Sequence, residues 1–187
     1  MQLSSRTTSL RSSPIADAKA WLSQRSGSLP LLDLSQAAPS YPTAPVIAER
    51  IAEVAGEDDG GAYAPPLGLD ELREAFAIQL STADAGAVRA DQVVITAGCN
   101  QAFCVVVSSL AQPGDEVIVP LPYYFNHDMW LEVEGVERRY LEPDEAMVPS
   151  VAGAAALIDE RTRAIVLVSP GNPSGLTLSP RLLGEFF

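Results

Sequence analysis

Three short stretches carry side chains whose types and spacing could do chemistry together. Asn172 stands in Ser169-Pro170-Gly171-Asn172-Pro173-Ser174-Gly175, where two prolines and two glycines restrict the backbone and fix the direction of one amide. Pro122-Tyr123-Tyr124-Phe125-Asn126-His127 brings two phenol rings able to lie flat on a planar ligand and one imidazole able to hydrogen-bond a carboxylate. Gly98-Cys99-Asn100 opens a helix, whose first backbone N–H groups have no intrahelical partner and attract an anion such as phosphate. An anion seat, an aromatic face and a rigid amide together suit a flat, phosphorylated ring.

Each stretch follows an extended run that would present it. Val93–Thr96, Glu116–Val119 and Ala164–Val168 are short apolar runs bounded by turn formers, the pattern of strands buried in a parallel sheet. Between them the spacing predicts helices over Asn100–Leu110, Phe125–Glu134 and Val151–Arg161, with a further strand over Val136–Leu141. Such alternation argues for right-handed βαβ units and an α/β fold, in which ligands bind beyond the carboxyl ends of the strands. The first ninety residues read differently. Helices are expected over Pro14–Arg25, Ala44–Ala55 and from Leu69 onward, with a short extended segment at Leu31–Leu34 and a proline-rich irregular link after it. Met1–Ser13 reads as a frayed tail. The last helix opens well at Ser179-Pro180 but runs into Phe186 and Phe187, two apolar residues expected to be exposed, without a C-cap.

Composition narrows the partners. The 187 residues carry a formal net charge of −12, and Lys19 is the sole lysine, so no nucleic acid and no membrane surface is expected as a partner. No apolar run is long enough to span a bilayer, no secretory leader is evident, and a cytoplasmic location is expected. Cys99 and Cys104 match neither a metal knuckle nor a redox pair, so no metal is expected.

The chain resembles the N-terminal half of a pyridoxal-phosphate-dependent aminotransferase of class I/II, of fold type I. The resemblance rests on Tyr63…Gly68-Leu69-x-x-Leu72-Arg73, Val94-Ile95-Thr96-x-Gly98, Pro113-Gly114-Asp115-Glu116-Val117, Pro122-x-Tyr124 and Asn172-Pro173-Ser174-Gly175, in family order. It implies a three-layer α/β sandwich with a mainly parallel sheet, an incomplete large domain preceded by a helical and irregular N-terminal arm. The corresponding divisions are 1–30 for the tail and first helix, 31–90 for the arm, and 91–187 for the cofactor-binding part. Pyridoxal 5'-phosphate is the implied cofactor, with weak or no binding expected from this chain alone, and with Gly98, Cys99 and Asn100 as its phosphate cup, Tyr124 stacked on the ring, and Asn172 on the ring hydroxyl and near the substrate carboxylate. Ala38 stands where the family contacts substrate. Tyr63 would reach the phosphate in a neighbouring subunit, implying a homodimer, and His127 would support the aspartate that pairs with the pyridine nitrogen. Cis bonds before Pro122 and Pro173 are implied too.

The family works through a lysine amine that bonds the cofactor covalently, and Lys19 lies in the N-terminal helix instead of on a loop beyond the sheet. The expected reading is thus a truncated aminotransferase, inactive alone, whose full-length form moves an amino group between an amino acid and a 2-oxo acid. Two other readings are a non-catalytic dimerisation or binding module and a lyase or decarboxylase of the same fold.

Overall fold

The computed structural model describes residues 3–8, 10–36, 39–83 and 86–187. They fall into two compact units, one made of Met1–Arg25 with Gly98–Phe187 and the other of Ser26–Ala97.

The larger unit is built on a three-stranded parallel sheet in the order β2-β1-β3, with β1 at Glu116–Pro120, β2 at Glu137–Leu141 and β3 at Thr162–Ile165. Side chains alternate across a strand, and β1 uses both faces. Val117 and Val119 pack with Val107, Leu131 and Val136 on one side. Ile118 packs with Leu141 and Ala154 on the other. The first cluster is supplied by α5 (Cys99–Leu110) and α6 (Phe125–Glu134), the second by α7 (Val151–Leu157) and by Phe186 at the end of α8 (Pro180–Glu185). Helices therefore cover both faces of the sheet, giving three layers. Ile118 and Leu131 are fully buried, each contributing on the order of 1.5–3 kcal/mol. Phe186 packs into this core, contrary to the expectation that both terminal phenylalanines are exposed, because α8 turns that residue onto Ile118's side of the sheet; Phe187 is exposed.

The Pro113-Gly114-Asp115-Glu116 turn ties the sheet together. The Gly114 N–H donates to the Gly135 carbonyl at 3.0 Å and the Glu137 N–H to the Asp115 carbonyl at 2.8 Å. Gly135 ends α6 at φ 72°, where a Cβ would also meet the Pro113 Cβ at 3.3 Å, so both backbone angle and space call for glycine. Glu116, fully buried, is paired with Arg139 at 3.1 Å and with Arg161, while Arg163 pairs with Asp115 at 3.0 Å. The Asp115 carboxyl is held below its usual range, first by the Gln112 N–H and then by Arg163 against the opposing effect of burial. Preceding the sheet are α1 (Ser5–Thr8) and α2 (Pro14–Ser23). The tail expected to fray thus contains a turn of helix, and α1 packs against α6.

The smaller unit holds α3 (Pro45–Ala55), α4 (Asp70–Thr82) and a single 3-10 turn at Ala90–Gln92. Arg73 fastens it. Its Nε donates to the Val93 carbonyl at 2.9 Å, one terminal nitrogen to the Ala90 carbonyl at 2.8 Å, and the other pairs with Asp70 at 2.9 Å. Gly68 has φ 100°, and a Cβ there would stand 2.5 Å from Ile95 Cγ1. That closeness lets the Ile95 N–H reach the Leu67 carbonyl at 2.9 Å.

Three elements depart from expectation. The strand read at Ala164–Val168 runs over Thr162–Ile165, because its ladder with β1 begins at Glu116 opposite Thr162. Val93–Thr96, read as a strand, is extended at Val93 but lies in no sheet among the described residues. A strand exists only through a ladder partner, and here Ile95 bonds a loop carbonyl instead. α7 stops at Leu157, four residues short of Arg161, because the Asp159 carboxylate accepts from the Arg161 N–H at 2.8 Å and builds a turn.

Candidate functional site

A hollow opens at the carboxyl ends of β1 and β3, walled by Pro122, Tyr124, His127, Met147, Asn172 and Leu178 among others. Two of the three sequence stretches therefore converge on one cavity. The loop carrying Asn172 is held by its own backbone. The Gly171 N–H donates to the Leu176 carbonyl at 2.7 Å, the Gly175 N–H to the Gly171 carbonyl at 2.8 Å, and the Leu178 N–H to Ser169 Oγ at 2.9 Å. Gly175 takes φ 71° to close it. The peptide bonds before Pro122 and Pro173 are cis as expected, and that before Pro170 is cis as well.

Tyr124 caps the start of α6 and is braced from three sides. Asn126 Nδ2 donates to its hydroxyl at 2.7 Å. Phe125 meets its ring edge-on at 5.1 Å and His127 does so at 5.2 Å. His127 is buried, its imidazole stacked on Phe103 of α5 with ring centroids 4.1 Å apart. Burial pushes its pKa below the ordinary 6.5, so the ring is neutral at physiological pH.

The third stretch is placed elsewhere. Gly98 caps α5 at φ 85°, and Cys99 and Asn100 open the helix as expected, but none of the three lines this hollow. Asn100 instead lines a second hollow between α5 and α6, beside Phe103, Asn126 and Trp130. Tyr63 belongs to the smaller unit and is fully exposed. Ala38 lies outside the described residues. Lys19 sits within α2.

Sequence reasoning missed Met147, Leu178 and Phe103. Met147 takes a left-handed φ of 63° in a tight loop where Asp144 Oδ1 accepts from the Ala146 and Val148 N–H groups, both at 2.9 Å. An Asp three residues before a residue followed by Val-Pro gives little warning of that angle, since methionine is not a usual left-handed residue. Leu178 follows the asparagine loop in Leu176-Thr177-Leu178-Ser179, an alternation of apolar and polar residues that marks it for burial. Phe103 is 24 positions from the histidine it touches, and nothing local marks the contact.

No helix among the described residues is long and apolar enough to cross a membrane. Residues 30–186 match the family model for aminotransferase class I and II. An aspartate/prephenate aminotransferase of Thermus thermophilus is 36% identical over 124 residues, which is 65% of this chain and 32% of the relative. An aspartate aminotransferase of Streptomyces avermitilis is 30% identical over 171 residues, 90% of this chain and 42% of the relative. Among solved structures, the aspartate aminotransferase of Thermus thermophilus with maleate superposes with a TM-score of 0.84 at 30% identity, covering 100% of this chain and 49% of that one. That of Rhizobium meliloti gives 0.83 at 25% identity, covering 100% and 47%. The chain thus spans less than half the length of each of these relatives. With the matched region extending over most of its residues and the α/β layers shared throughout, the chain belongs to the class I and II aminotransferases.

Proposed function

We propose that this chain supplies the cofactor-cradling part of an aminotransferase that moves an amino group between an amino acid and a 2-oxo acid with pyridoxal 5'-phosphate, and that alone it is inactive. The observation that carries this reading is the convergence of Tyr124 and Asn172 on one hollow at the carboxyl ends of β1 and β3. The donor set suits the cofactor. Tyr124 offers an aromatic face with a braced hydroxyl and Asn172 an amide on a stapled loop, while the amino end of α5, outside the lining of this hollow, offers backbone N–H groups for a phosphate. When bound, pyridoxal phosphate would supply an electron-withdrawing ring that makes the amino acid's α-proton acidic.

The roles of this chain's residues follow. Tyr124 would set the plane of the ring, and Asn172 would donate to the ring hydroxyl while its loop faces the substrate carboxylate. Gly98, Cys99 and Asn100 would hold the phosphate, Cys99 and Asn100 contributing fewer hydroxyl donors than serine or threonine. His127, kept neutral, would support the aspartate that pairs with the pyridine nitrogen, and Ala38 would lie against substrate. Tyr63, exposed on the smaller unit, would reach the phosphate of a partner subunit in a homodimer. In this assignment residues 91–187 carry the cofactor, 31–90 the arm and 1–30 the tail and first helix. No amine stands in the hollow to act as nucleophile among the described residues.

Co-expression with a lysine-bearing downstream half tests the reading. Transamination is expected from the pair, and Asn172→Ala should lower it at least about tenfold, the scale of one lost hydrogen bond to a charged group at ~1.5–3 kcal/mol. The chain alone should show no transamination, and borohydride reduction should leave no cofactor on Lys19. Turnover by the chain alone, or a parental rate from Asn172→Ala, would overturn it. Inert association in the same experiment would favour the binding-module reading, which draws support from the exposed Ile47, Ile51 and Ile78 of the smaller unit.

A further inference from the structure

The side chain that touches His127 most closely is one the proposed function leaves unused. Phe103 lies nearly parallel to the imidazole, with planes 26° apart and centroids at 4.1 Å, and it is itself packed against the Val107, Val119 and Leu131 cluster. A second ring partner is Tyr124, which meets the imidazole at 85° and 5.2 Å. Phe103, His127 and Tyr124 therefore form a continuous column from the α5–α6 core to the wall of the hollow. A stack rooted in a close-packed core can hold an orientation that a surface ring could not.

Electrostatics agree with this arrangement. The ionisable groups on α6 and on the elements packed against it are Asp128, Glu132 and Glu134 on α6, Cys99 and Cys104 on α5, Arg6 on α1, and Glu137, Arg138, Arg139 and Tyr140 on β2. The imidazole pKa is lowered, and the cause is burial. Asp128 and Glu132 are turned toward Arg138, and Glu134 accepts from Ser108. A phenyl face can favour an imidazolium, but here the water excluded by the two rings matters more.

We propose that Phe103 is a positioning residue for the candidate site, its ring fixing the plane of His127 and, through it, the tilt of Tyr124 toward the hollow. The consequence for ring binding rests on the proposed function; the coupling itself does not. His127 is the only histidine in the chain, so its imidazole gives a single set of NMR resonances from the whole protein. In the parent chain those resonances should be displaced by the stacked ring and titrate below 6.5. Phe103→Leu, which keeps an apolar side chain but removes the ring, should return the resonances toward free-imidazole positions and raise the midpoint toward 6.5. Phe103→Tyr should retain both parental properties. A folded Phe103→Leu chain with parental resonances and titration would overturn the proposal. Should that variant not fold, undisplaced resonances in the parent would overturn it equally. Failure of the chain co-expressed with a lysine-bearing downstream half to bind pyridoxal phosphate would sink the functional reading while leaving these imidazole signals as they are, so the two failures are distinguishable.

Discussion

Tyr140 donates its phenol to Asp128 Oδ1 at 2.6 Å and stacks on Tyr123, a residue of the hollow's wall, at 5.5 Å. Burial first, and then the bond to Asp128, raise its pKa from 10.0 to about 12. The folded phenol holds its proton more tightly than the unfolded chain does, so its stabilising effect is complete below pH 10 and is lost as pH rises from 10 toward 12. In an ultraviolet phenolate titration one of the five tyrosines should ionise last, and Asp128→Asn should bring that step down. An unchanged titration in the variant would contradict the assignment. At this scale the sequence was informative where a residue's neighbours in the chain define its setting. Asn172 and Tyr124 could be read because prolines and glycines beside them dictate a loop at a strand end. Phe103 and Met147 could not, because one acts through a contact between helices and the other through a backbone angle imposed by Asp144.

At the scale of elements, Glu116 joins β1 to the segments on both sides. Its carboxylate is fully buried, whereas Arg139 and Arg161 are 37% and 52% exposed, so the cost of separating them is unequal. Removing both arginines in Arg139→Ala/Arg161→Ala leaves a buried carboxylate without a cation and should cost about 3–5 kcal/mol. Glu116→Gln frees arginines that can turn to water, and should cost about 1–3 kcal/mol. Urea unfolding of the two variants checks the order; a larger loss from Glu116→Gln would show that the arginines need the pair more than the acid does. β1 and α6 were legible because an apolar run and the Gly135 stop are local signals, whereas β3 begins two residues before its apolar run, where it pairs with Glu116. The end of α7 was missed because the Asp159 carboxylate competes for backbone N–H groups. Val93–Thr96 has the composition of a strand, but composition cannot supply the neighbour that makes it one.

For the molecule as a whole, the two units differ in how well they bury their apolar side chains. The larger has a core on each face of the sheet, while among the described residues of the smaller only Ala77 and Val93 are buried apolar positions, and Leu32, Leu34, Ile47 and Ile51 lie open. Exposed apolar surface of this kind drives association, opposed here by the net charge of −12. The purified 187-residue chain should therefore sediment with an apparent mass that grows with concentration, and more steeply when salt screens the repulsion. A compact monomer with a cooperative melt at all concentrations would refute this. Layer architecture was readable from the alternation of strands and helices, since each pattern is local; how completely a unit is covered is not, because that depends on surfaces that meet only in three dimensions. One cluster of paired ions gathers about Glu116 and Asp115, where β1 begins, whereas the hollow opens where β1 and β3 finish, walled mainly by neutral side chains. Rigidity and recognition are thereby assigned to opposite poles of the same sheet: the foundation is an ion cluster whose buried carboxylate salt reaches poorly, and changes made to tune one pole need not disturb the other.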